Sequence, residues 1–412
     1  MAIRVTAAGP PAAGPPAAAP PAAAPPAAAP PDAAAWFAKS YGRDPDGTWF
    51  APGRVNLMGG PDYTEGFVLP FALGAGVTVA AARRKDRRIA LTSRQQDTEL
   101  IELDIDTLEP GSVPGWAAYP AGVAWALRQA GYLESGADIA IDADLPVGAS
   151  LSSSAALECA TALALTELQR PPLPRPELAA LTRRAENDFV GVPSGIMDQI
   201  AALLSQAGHA LLLDCRTGTG TPVPLDPAAA GLIMLVIDTQ APHALGDGRY
   251  AERRRACDRA ASALGVRSLR DVTDPGQLAR LSGDPALQRL AGHVLDEQRR
   301  VRQAADLLRA GHQASIGPLL TASHHSLRDR FRFSWPQADE AVTAAIEAGA
   351  TGARMTGGGF GGSVIALIPA QAATQVRQNV TDRFTRHRWP APRFLDAEPS
   401  GAARRVPVRA VQ

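Results

Sequence analysis

Lysine is almost absent from this chain of 412 residues, which has two lysines, Lys39 and Lys85, against 39 arginines. A Walker-type phosphate loop needs a Gly-Lys-Ser/Thr element, and a protein kinase needs a strand lysine that contacts the nucleotide phosphates. Neither lysine stands in such a sequence context. The sequence therefore excludes both classes of nucleotide site, and a site that uses ATP would have to neutralise phosphate by other means.

Cysteine and net charge are also scarce. Cys159, Cys215 and Cys257 lie far apart in apolar stretches, which matches neither a disulfide framework nor a metal-ligand spacing. We expect buried, reduced thiols. The 41 basic and 41 acidic residues give a formal net charge of zero, so no broad field attracts nucleic acid or an anionic membrane. We expect small-molecule partners, with no nucleic acid, no membrane and no obligate protein partner.

The amino-terminal segment has no continuous apolar run. Proline pairs interrupt residues 1–34 at regular intervals, so this segment contains no signal-peptide core, and no transmembrane stretch follows it. We therefore expect a cytoplasmic protein. A Pro/Ala repeat favours extended polyproline II and cannot build a core, which predicts a disordered tail over residues 1–34.

The remaining chain is long enough for two cores, and the full sequence, with 46% hydrophobic residues, has ample apolar content to fill them. Helical and strand-like patterns mix without a strict βαβ order, which favours the α+β class. A Pro-rich stretch at 222–227 predicts a boundary between an amino-terminal domain, 35–224, and a carboxy-terminal domain, 225–412. Within the first domain, residues 51–70 are interpreted as a glycine-punctuated loop followed by a short apolar strand.

The segment LPVGASLSSSAALE, residues 145–158, is a small-residue loop that leads directly into an apolar helix. Its backbone N–H groups and the positive end of the helix would face the mouth of the loop, which can bind phosphate without a lysine. One of the hydroxyls of Ser152, Ser153 and Ser154 can serve as an oxygen ligand for magnesium. The same residues are also typical of an ordinary serine N-cap.

Two carboxylates accompany a second glycine-containing segment, GVPSGIMDQIAALL at 191–204. Asp198 stands at the predicted start of a helix, and Glu186 ends the helical run RRAE twelve residues earlier. A phosphoryl-transfer site needs one carboxylate for a metal and one for a proton. The alternative is a helix N-cap for Asp198 and a solvated surface charge for Glu186.

A third segment, TGGGFGG at 356–362, contains a formal G-x-G-x-x-G through Gly357, Gly359 and Gly362. A dinucleotide site needs a strand, a tight turn and then a helix, with an acidic residue further on. Here a second strand-like run, SVIALIP, follows the glycines. We therefore predict a glycine loop that closes over another site rather than a cofactor turn.

Taken in order, four segments resemble the GHMP family of small-molecule kinases, and within it the galactokinases. They are GRVNLMGGPDYTEGFVLP, LPVGASLSSSAALE, GVPSGIMDQ and TGGGFGGS, within a similarity that covers about residues 35–405. The resemblance implies a ribosomal-protein-like amino-terminal domain, a ferredoxin-like carboxy-terminal domain and an active site between them. It implies transfer of the ATP γ-phosphoryl group to the anomeric C1 hydroxyl of D-galactose or a related sugar, giving α-D-galactose 1-phosphate and ADP.

The resemblance also implies roles for individual residues. It makes Asp198 the catalytic base and Arg54 the cation beside it, with Ser154 and Glu186 as ligands of Mg²⁺. The ATP phosphate loop comprises Gly148, Ala149, Ser150, Leu151, Ser152, Ser153 and Ser154. The positions that correspond to sugar contacts are Asp62, Gly195 and Tyr250.

The sugar loop departs from the family pattern. Galactokinases usually carry Glu-His-Thr-Asp-Tyr after the glycine that corresponds to Gly59. Here Gly59 is followed by Gly-Pro-Asp-Tyr, residues 60–63, so the loop is one residue shorter. Loss of polar groups that bind substrate hydroxyls weakens or redirects selectivity. This leaves open two alternatives: a related sugar 1-kinase that prefers another sugar, and a catalytically silent sensor. Glu65 is a candidate to replace the missing glutamate and histidine of the loop. Ser150 stands where glycine is usual, so a positive φ there would strain the loop, and Trp335 stands where cysteine is common.

Overall fold

The computed structural model describes residues 32–96, 100–146, 148–169, 173–241 and 248–407. Most of the predicted Pro/Ala tail, residues 1–31, lies outside the described residues. The first helix begins at Ala33, inside the segment expected to be tail, because the Asp32 carboxylate caps it by accepting a hydrogen bond from the Ala35 N–H at 3.0 Å.

Helices and strands follow one another in the described residues without a regular pattern. The α-helices are α1 (Ala33–Tyr41), α2 (Ala118–Gln129), α3 (Ser153–Gln169), α4 (Arg175–Arg184), α5 (Met197–Leu204), α6 (Arg249–Leu264), α7 (Pro285–Arg309), α8 (Gly317–Ser326), α9 (Pro336–Glu347) and α10 (Ala373–His387). The strands are β1 (Gly47–Asn56), β2 (Phe67–Val68), β3 (Pro70–Arg83), β4 (Arg88–Ser93), β5 (Ile101–Asp104), β6 (Ala137–Ala143), β7 (His209–Asp214), β8 (Thr219–Pro224), β9 (Leu232–Ala241), β10 (Gly352–Thr356), β11 (Gly362–Pro369), β12 (Arg393–Asp396) and β13 (Arg404–Val406).

Three sheets organise these strands. The largest is six-stranded with the order β13-β1-β3-β6-β4-β5, in which β4 and β6 run parallel and the other neighbours run antiparallel. The second has the order β10-β11-β9-β12, and the third has the order β2-β7-β8. One large apolar cluster joins the first sheet to α2, α3, α4 and α5, and another joins the second sheet to α6, α7, α9 and α10. These sheets and helices confirm the α+β class.

The expectation that residues 51–56 form a loop is wrong, because they belong to β1. Pro52 and Gly53 suggested a loop, but they lie at a register shift in the pairing of β1 with β3, where such residues are tolerated. A Cβ atom on Gly53 would lie 2.7 Å from the Leu151 carbonyl oxygen, so glycine lets the strand approach the loop before α3. This irregularity places Arg54 next to that loop.

The carboxy-terminal end of the chain returns to the first sheet, since β13 pairs with β1. The assignment of 35–224 and 225–412 to two domains stays a prediction. Cys159 and Cys257 are buried and Cys215 is half-buried, and all three thiols are free. Among the described residues, no helix combines the length and apolar character needed to span a bilayer.

Candidate active site

A cavity of about 240 Å³ lies where the loop before α3, the start of α5, the sugar loop and the glycine loop meet. It brings together nearly all of the residues that the sequence singled out. The predicted residues that line it are Arg54, Asp62, Gly148, Ser150, Leu151, Ser152, Ser153, Ser154, Glu186, Gly195, Asp198 and Tyr250. Ala149 lies behind the wall instead, where its carbonyl accepts a hydrogen bond from Ser363 Oγ at 2.7 Å.

Arg54 and Asp198 form a two-pronged ion pair at the centre of this cavity. Arg54 Nε donates to Asp198 Oδ1 at 2.8 Å, and Arg54 Nη2 donates to Asp198 Oδ2 at 3.0 Å. Asp198 Oδ2 also accepts from Ser152 Oγ at 2.5 Å. The arginine side chain is 6% exposed and the aspartate side chain 24% exposed. The Asp198 carboxylate is thus fixed by hydrogen bonds from Arg54 and Ser152 and remains accessible from the cavity.

The local fold explains this placement. The Arg54 N–H donates to the Leu151 carbonyl at 3.0 Å, which joins β1 to the phosphate loop. Asp198 lies in the first turn of α5, where the positive end of the helix dipole favours a carboxylate. The prediction that Asp198 starts a helix is confirmed.

The predicted phosphate loop leads into a helix as expected, and this helix, α3, begins at Ser153. Gly148, Ser150 and Ser152 all have positive φ, at +80°, +57° and +59°. Turns of this kind present backbone N–H groups to an anion. Side-chain-bearing residues rarely occupy this region, so the predicted strain at Ser150 is present, and a second strained residue, Ser152, was not anticipated.

The glycine loop packs directly against Ser150. A Cβ atom on Gly357 or on Gly362 would lie 2.6 Å from the Ser150 Cβ, closer than real side chains allow. Glycine at both positions is what lets this loop approach the phosphate loop. The prediction that a strand rather than a helix follows TGGGFGG is confirmed, because β11 begins at Gly362. Gly357 and Gly358 of this loop line the cavity.

Glu186 is a buried carboxylate in the wall of the cavity, in a π-helical turn that continues α4. It accepts hydrogen bonds from Ser154 Oγ at 3.0 Å, Ser194 Oγ at 2.6 Å and Gln199 Nε2 at 2.8 Å. At 4% exposure it is not a solvated surface charge. Burial raises the pKa of Glu186, although the hydrogen bonds from the two serines and Gln199 oppose that rise.

Three residues predicted to contact sugar, Asp62, Gly195 and Tyr250, also line the cavity. Asp62 Oδ2 accepts from the Met197 N–H at 3.1 Å. A Cβ atom on Gly195 would lie 1.9 Å from Asp62 Oδ2, so glycine is needed for this close approach. Burial raises the pKa of Asp62, and the charge of Asp198 raises it further. Tyr250 packs edge-on against Tyr63, with ring centroids 5.2 Å apart.

A buried ion pair supports the shortened sugar loop from behind. The Gly59 N–H donates to Glu297 Oε1 at 3.2 Å, and Arg354 Nη2 donates to the Gly59 carbonyl at 3.0 Å. Arg354 Nη1 lies 3.3 Å from Glu297 Oε1, and both side chains are at most 3% exposed. Sequence reasoning missed both residues, although Arg354 lines the cavity and lies two residues before the start of the glycine loop.

Two further expectations about single residues are resolved here. Glu65 does not replace the missing loop side chains, because its carboxylate accepts from Arg216 Nε at 2.7 Å and from Arg267 Nη2 at 3.3 Å, and it does not line the cavity. Trp335 is buried at the start of α9, where its Nε1 donates to Thr239 Oγ1 at 3.2 Å. Neither residue touches the cavity.

Comparison with known proteins agrees with this geometry. The galactokinase galactose-binding signature matches residues 35–83, the GHMP kinases N terminal domain matches 118–206, and the GHMP kinases C terminal domain matches 304–386. A galactokinase of Streptomyces coelicolor is 46% identical over 374 residues, which are 90% of this chain and 97% of that protein. A galactokinase of Mycobacterium tuberculosis is 45% identical over 333 residues, 80% of this chain and 91% of that protein.

Solved structures show the same relationship. Lactococcus lactis galactokinase complexed with galactose matches with a TM-score of 0.85 at 32% identity, covering 90% of this chain and 98% of that one. Mevalonate kinase of Methanococcus jannaschii, at 15% identity, 85% and 98% coverage and a TM-score of 0.62, shares the fold alone. With identity above 40% over most of its length, the chain belongs to the galactokinase family of the GHMP kinases and is an ATP-dependent sugar kinase.

Proposed function

We propose that this chain transfers the γ-phosphoryl group of ATP to the anomeric C1 hydroxyl of D-galactose, giving α-D-galactose 1-phosphate and ADP. The observation that carries this proposal is the Arg54–Asp198 pair, which lines one cavity together with the phosphate loop and Asp62. The names of the relatives supply the sugar: the Lactococcus lactis galactokinase was solved with galactose.

Asp198 acts as the general base in this proposal. Its carboxylate accepts the proton of the C1 hydroxyl while the sugar oxygen bonds to the γ-phosphorus and the bond to the bridging β–γ oxygen breaks, releasing ADP. An anomeric hydroxyl is more acidic than an ordinary alcohol, so a carboxylate base suffices. The guanidinium of Arg54 stabilises the negative charge that develops on the sugar oxygen and on the transferred group.

The phosphate loop and α3 bind the nucleotide phosphates through backbone N–H groups and the helix N-terminus. Ser154 and Glu186 would hold Mg²⁺, because a hydroxyl and a carboxylate that lie 3.0 Å apart and line the cavity are the oxygen ligands this ion takes. Magnesium commonly uses one or two carboxylates and the substrate phosphates. Among the described residues, no group of three His, Cys, Asp or Glu side chains is arranged to hold a metal ion. The proposed Mg²⁺ site therefore uses one carboxylate and one hydroxyl of the protein. When bound, Mg²⁺ would neutralise charge on the β- and γ-phosphates.

Asp62, Gly195 and Tyr250 form the sugar end of the site in this proposal. The Asp62 carboxylate accepts from sugar hydroxyls while the Met197 N–H orients it. Gly195 leaves room for that carboxylate. We assign the phosphate loop and Asp198 to the proposed domain 35–224, and Tyr250 to the proposed domain 225–412. We also place the protein in the cytoplasm, where its co-substrate ATP is available.

A second candidate is a sugar 1-kinase of the same family with another preferred sugar. The observation that favours it is the wall formed by Gly60 and Pro61, which line the cavity without a polar side chain. A site that lacks donors and acceptors for a substrate hydroxyl cannot use that hydroxyl to discriminate.

Initial rates of ADP release would separate these two candidates. The panel comprises D-galactose, its epimers and its monodeoxy analogues with Mg-ATP, and phosphorus NMR of the product locates the phosphate. We expect the highest kcat/KM for D-galactose and a product phosphorylated at C1 in the α-configuration. A higher kcat/KM for another hexose supports the second candidate, and phosphorylation away from C1, or none at all in folded protein, contradicts both.

A further inference from the structure

Glu65 has a backbone conformation that calls for an explanation. It directly follows the 3₁₀ turn Asp62–Thr64, and its φ is +57°. A residue with a side chain persists in this region only where its surroundings hold it there. The Glu65 N–H also donates to the Asp62 carbonyl at 2.9 Å. The conformation of Glu65 is therefore tied to that of Asp62.

Three arginines hold Glu65. Arg216 Nε donates to Glu65 Oε2 at 2.7 Å, and Arg267 Nη2 donates to Oε1 at 3.3 Å. Arg270 Nη1 donates to the backbone carbonyl of Glu65 at 2.7 Å. Both the side chain and the main chain of this residue are thus fastened.

Arg216 and Arg270 are themselves anchored. Arg216 donates from Nη1 and Nη2 to the two carboxylate oxygens of Asp271, at 2.7 and 2.9 Å. Arg270 donates in the same way to Asp214, at 2.5 and 2.9 Å. Two-pronged arginine–carboxylate pairs have a defined geometry as well as charge. We call Glu65, Arg216, Arg270, Asp214 and Asp271 the Arg216 clasp.

The Arg216 clasp anchors one end of the shortened loop. Gly60 and Pro61 have no polar side chain that could form a hydrogen bond or an ion pair with the neighbouring structure. On one side of them, the buried pair of Glu297 and Arg354 holds Gly59. The Arg216 clasp holds the other side, directly after the turn that bears Asp62. The loop is therefore anchored at both ends by ion pairs.

We propose that Arg216 is a positioning residue of the sugar site, which acts through Glu65 to keep Asp62 in its sugar-binding orientation. This inference rests on the proposed function, in which Asp62 contacts the sugar. Arg216 does not line the cavity and so does not touch substrate. A turn that must be ordered on binding reduces affinity, whereas an ordered one does not. Loss of the clasp should therefore weaken sugar binding without slowing the chemical step.

The first test is Arg216→Ala. We expect the KM for the sugar to rise by about three- to tenfold, because mobile groups at a binding site cost about 1 kcal/mol each to immobilise. The kcat and the KM for ATP should stay within about twofold of the wild-type values. Arg87→Ala is the matched control, because Arg87 pairs with both oxygens of Asp106 at 2.7 Å and lies outside the cavity. This control should change none of the three constants.

A double variant tests the route through Glu65. Glu65→Gln keeps the shape of the side chain and removes its charge. If Arg216 acts through Glu65, the combination of Arg216→Ala and Glu65→Gln should raise the sugar KM no more than the larger single effect. Arg216→Lys, which keeps the charge without the planar fork, should give an intermediate value.

The proposal is overturned if Arg216→Ala leaves the sugar KM unchanged, or if both KM values, kcat and Tm worsen together. Calorimetric Kd values for D-galactose separate this inference from the proposed function. If the wild type binds the sugar without phosphorylating it, the proposed function fails, and a Kd raised by Arg216→Ala still supports the clasp. If the wild type binds no sugar at all, both proposals are contradicted.

Discussion

Arg54 joins Asp198 to the phosphate loop, because it donates to both oxygens of Asp198, at 2.8 and 3.0 Å, and from Nη1 to the Ser150 carbonyl at 2.7 Å. One buried guanidinium therefore sets the distance between the proposed base and the backbone of the proposed phosphate loop. Correct spacing of reacting groups contributes a large share of catalysis. The three bonds require the planar fork of an arginine.

Arg54→Lys should therefore lower kcat strongly although the charge is kept. A lysine ammonium cannot contact both carboxylate oxygens and the Ser150 carbonyl in one geometry. We expect kcat to fall by about 10²- to 10³-fold, the usual effect of removing a group that stabilises charge in the transition state. Steady-state ADP release measures this, with circular dichroism to show that the variant is folded. A kcat within about threefold of wild type would refute the role given to Arg54.

Gly357→Ala should disturb nucleotide binding through Ser150. The new Cβ would lie 2.6 Å from the Ser150 Cβ, so the glycine loop must move away from the phosphate loop, and overpacking of this kind costs about 1–3 kcal/mol. We expect a lower Tm and a KM for ATP raised by about tenfold. Adding Ser150→Gly should recover part of both, since it removes that Cβ and a buried hydroxyl without a partner among the described residues. No recovery would mean that the two loops are not coupled through this contact.

Gly60→Ser should stabilise the shortened loop. A Cβ atom on Gly60 would meet only His293 Nε2, at 3.8 Å, an ordinary contact. That nitrogen is buried and has no hydrogen-bond partner among the described residues, so a serine hydroxyl could supply one, worth about 1 kcal/mol. Gly60→Ala is the matched control for the loss of glycine flexibility. Urea unfolding should give a larger free energy of unfolding for the serine variant than for alanine, and equal values would contradict the prediction.

His293 should make the fold sensitive to mild acid. Burial lowers the pKa of His293 to about 4, and the charges of Arg300, Arg354 and Arg330 add to this while Glu297 opposes it. An unfolded histidine binds its proton near pH 6.5, so between about pH 6.5 and pH 4 the unfolded state takes up more protons than the folded state. Stability therefore falls as pH falls through this window, by up to about 3 kcal/mol from this residue.

The comparison that isolates this effect is wild type against His293→Gln. The free energy of unfolding of wild type minus that of the variant should decrease from about pH 7 to about pH 4, because only wild type has the titrating group. Parallel pH profiles would show that His293 is not the source of the acid sensitivity.

The parts of the site that the sequence predicted are local. Residues 148–154 and Asp198 lie in continuous segments, in which glycines, serines and the apolar pattern of the following helix are visible in the local sequence. Arg54 was expected in a loop, because Pro52 and Gly53 are typical of loops. The local sequence does not show that a register shift in β1 accommodates both residues. A single sequence does not show which distant residues pair with a given side chain.

Glu65 and Glu297 illustrate this limit. Glu65 bonds to Arg216, 151 residues away, and Glu297 pairs with Arg354, 57 residues away. No local pattern marks either partnership, because the packing of separate elements brings these residues together. Only the three-dimensional structure shows that ion pairs support the shortened loop from both sides.

The central claim is that Asp198 takes the proton from the sugar hydroxyl, and Asp198→Asn tests it most directly. Asparagine keeps the size of the side chain and one oxygen for Arg54 but is not a base. The account predicts that kcat for ADP release with D-galactose falls by at least about 10²-fold, while calorimetry still shows binding of ATP and of sugar. A variant that binds both and keeps kcat within about threefold of wild type would contradict the account.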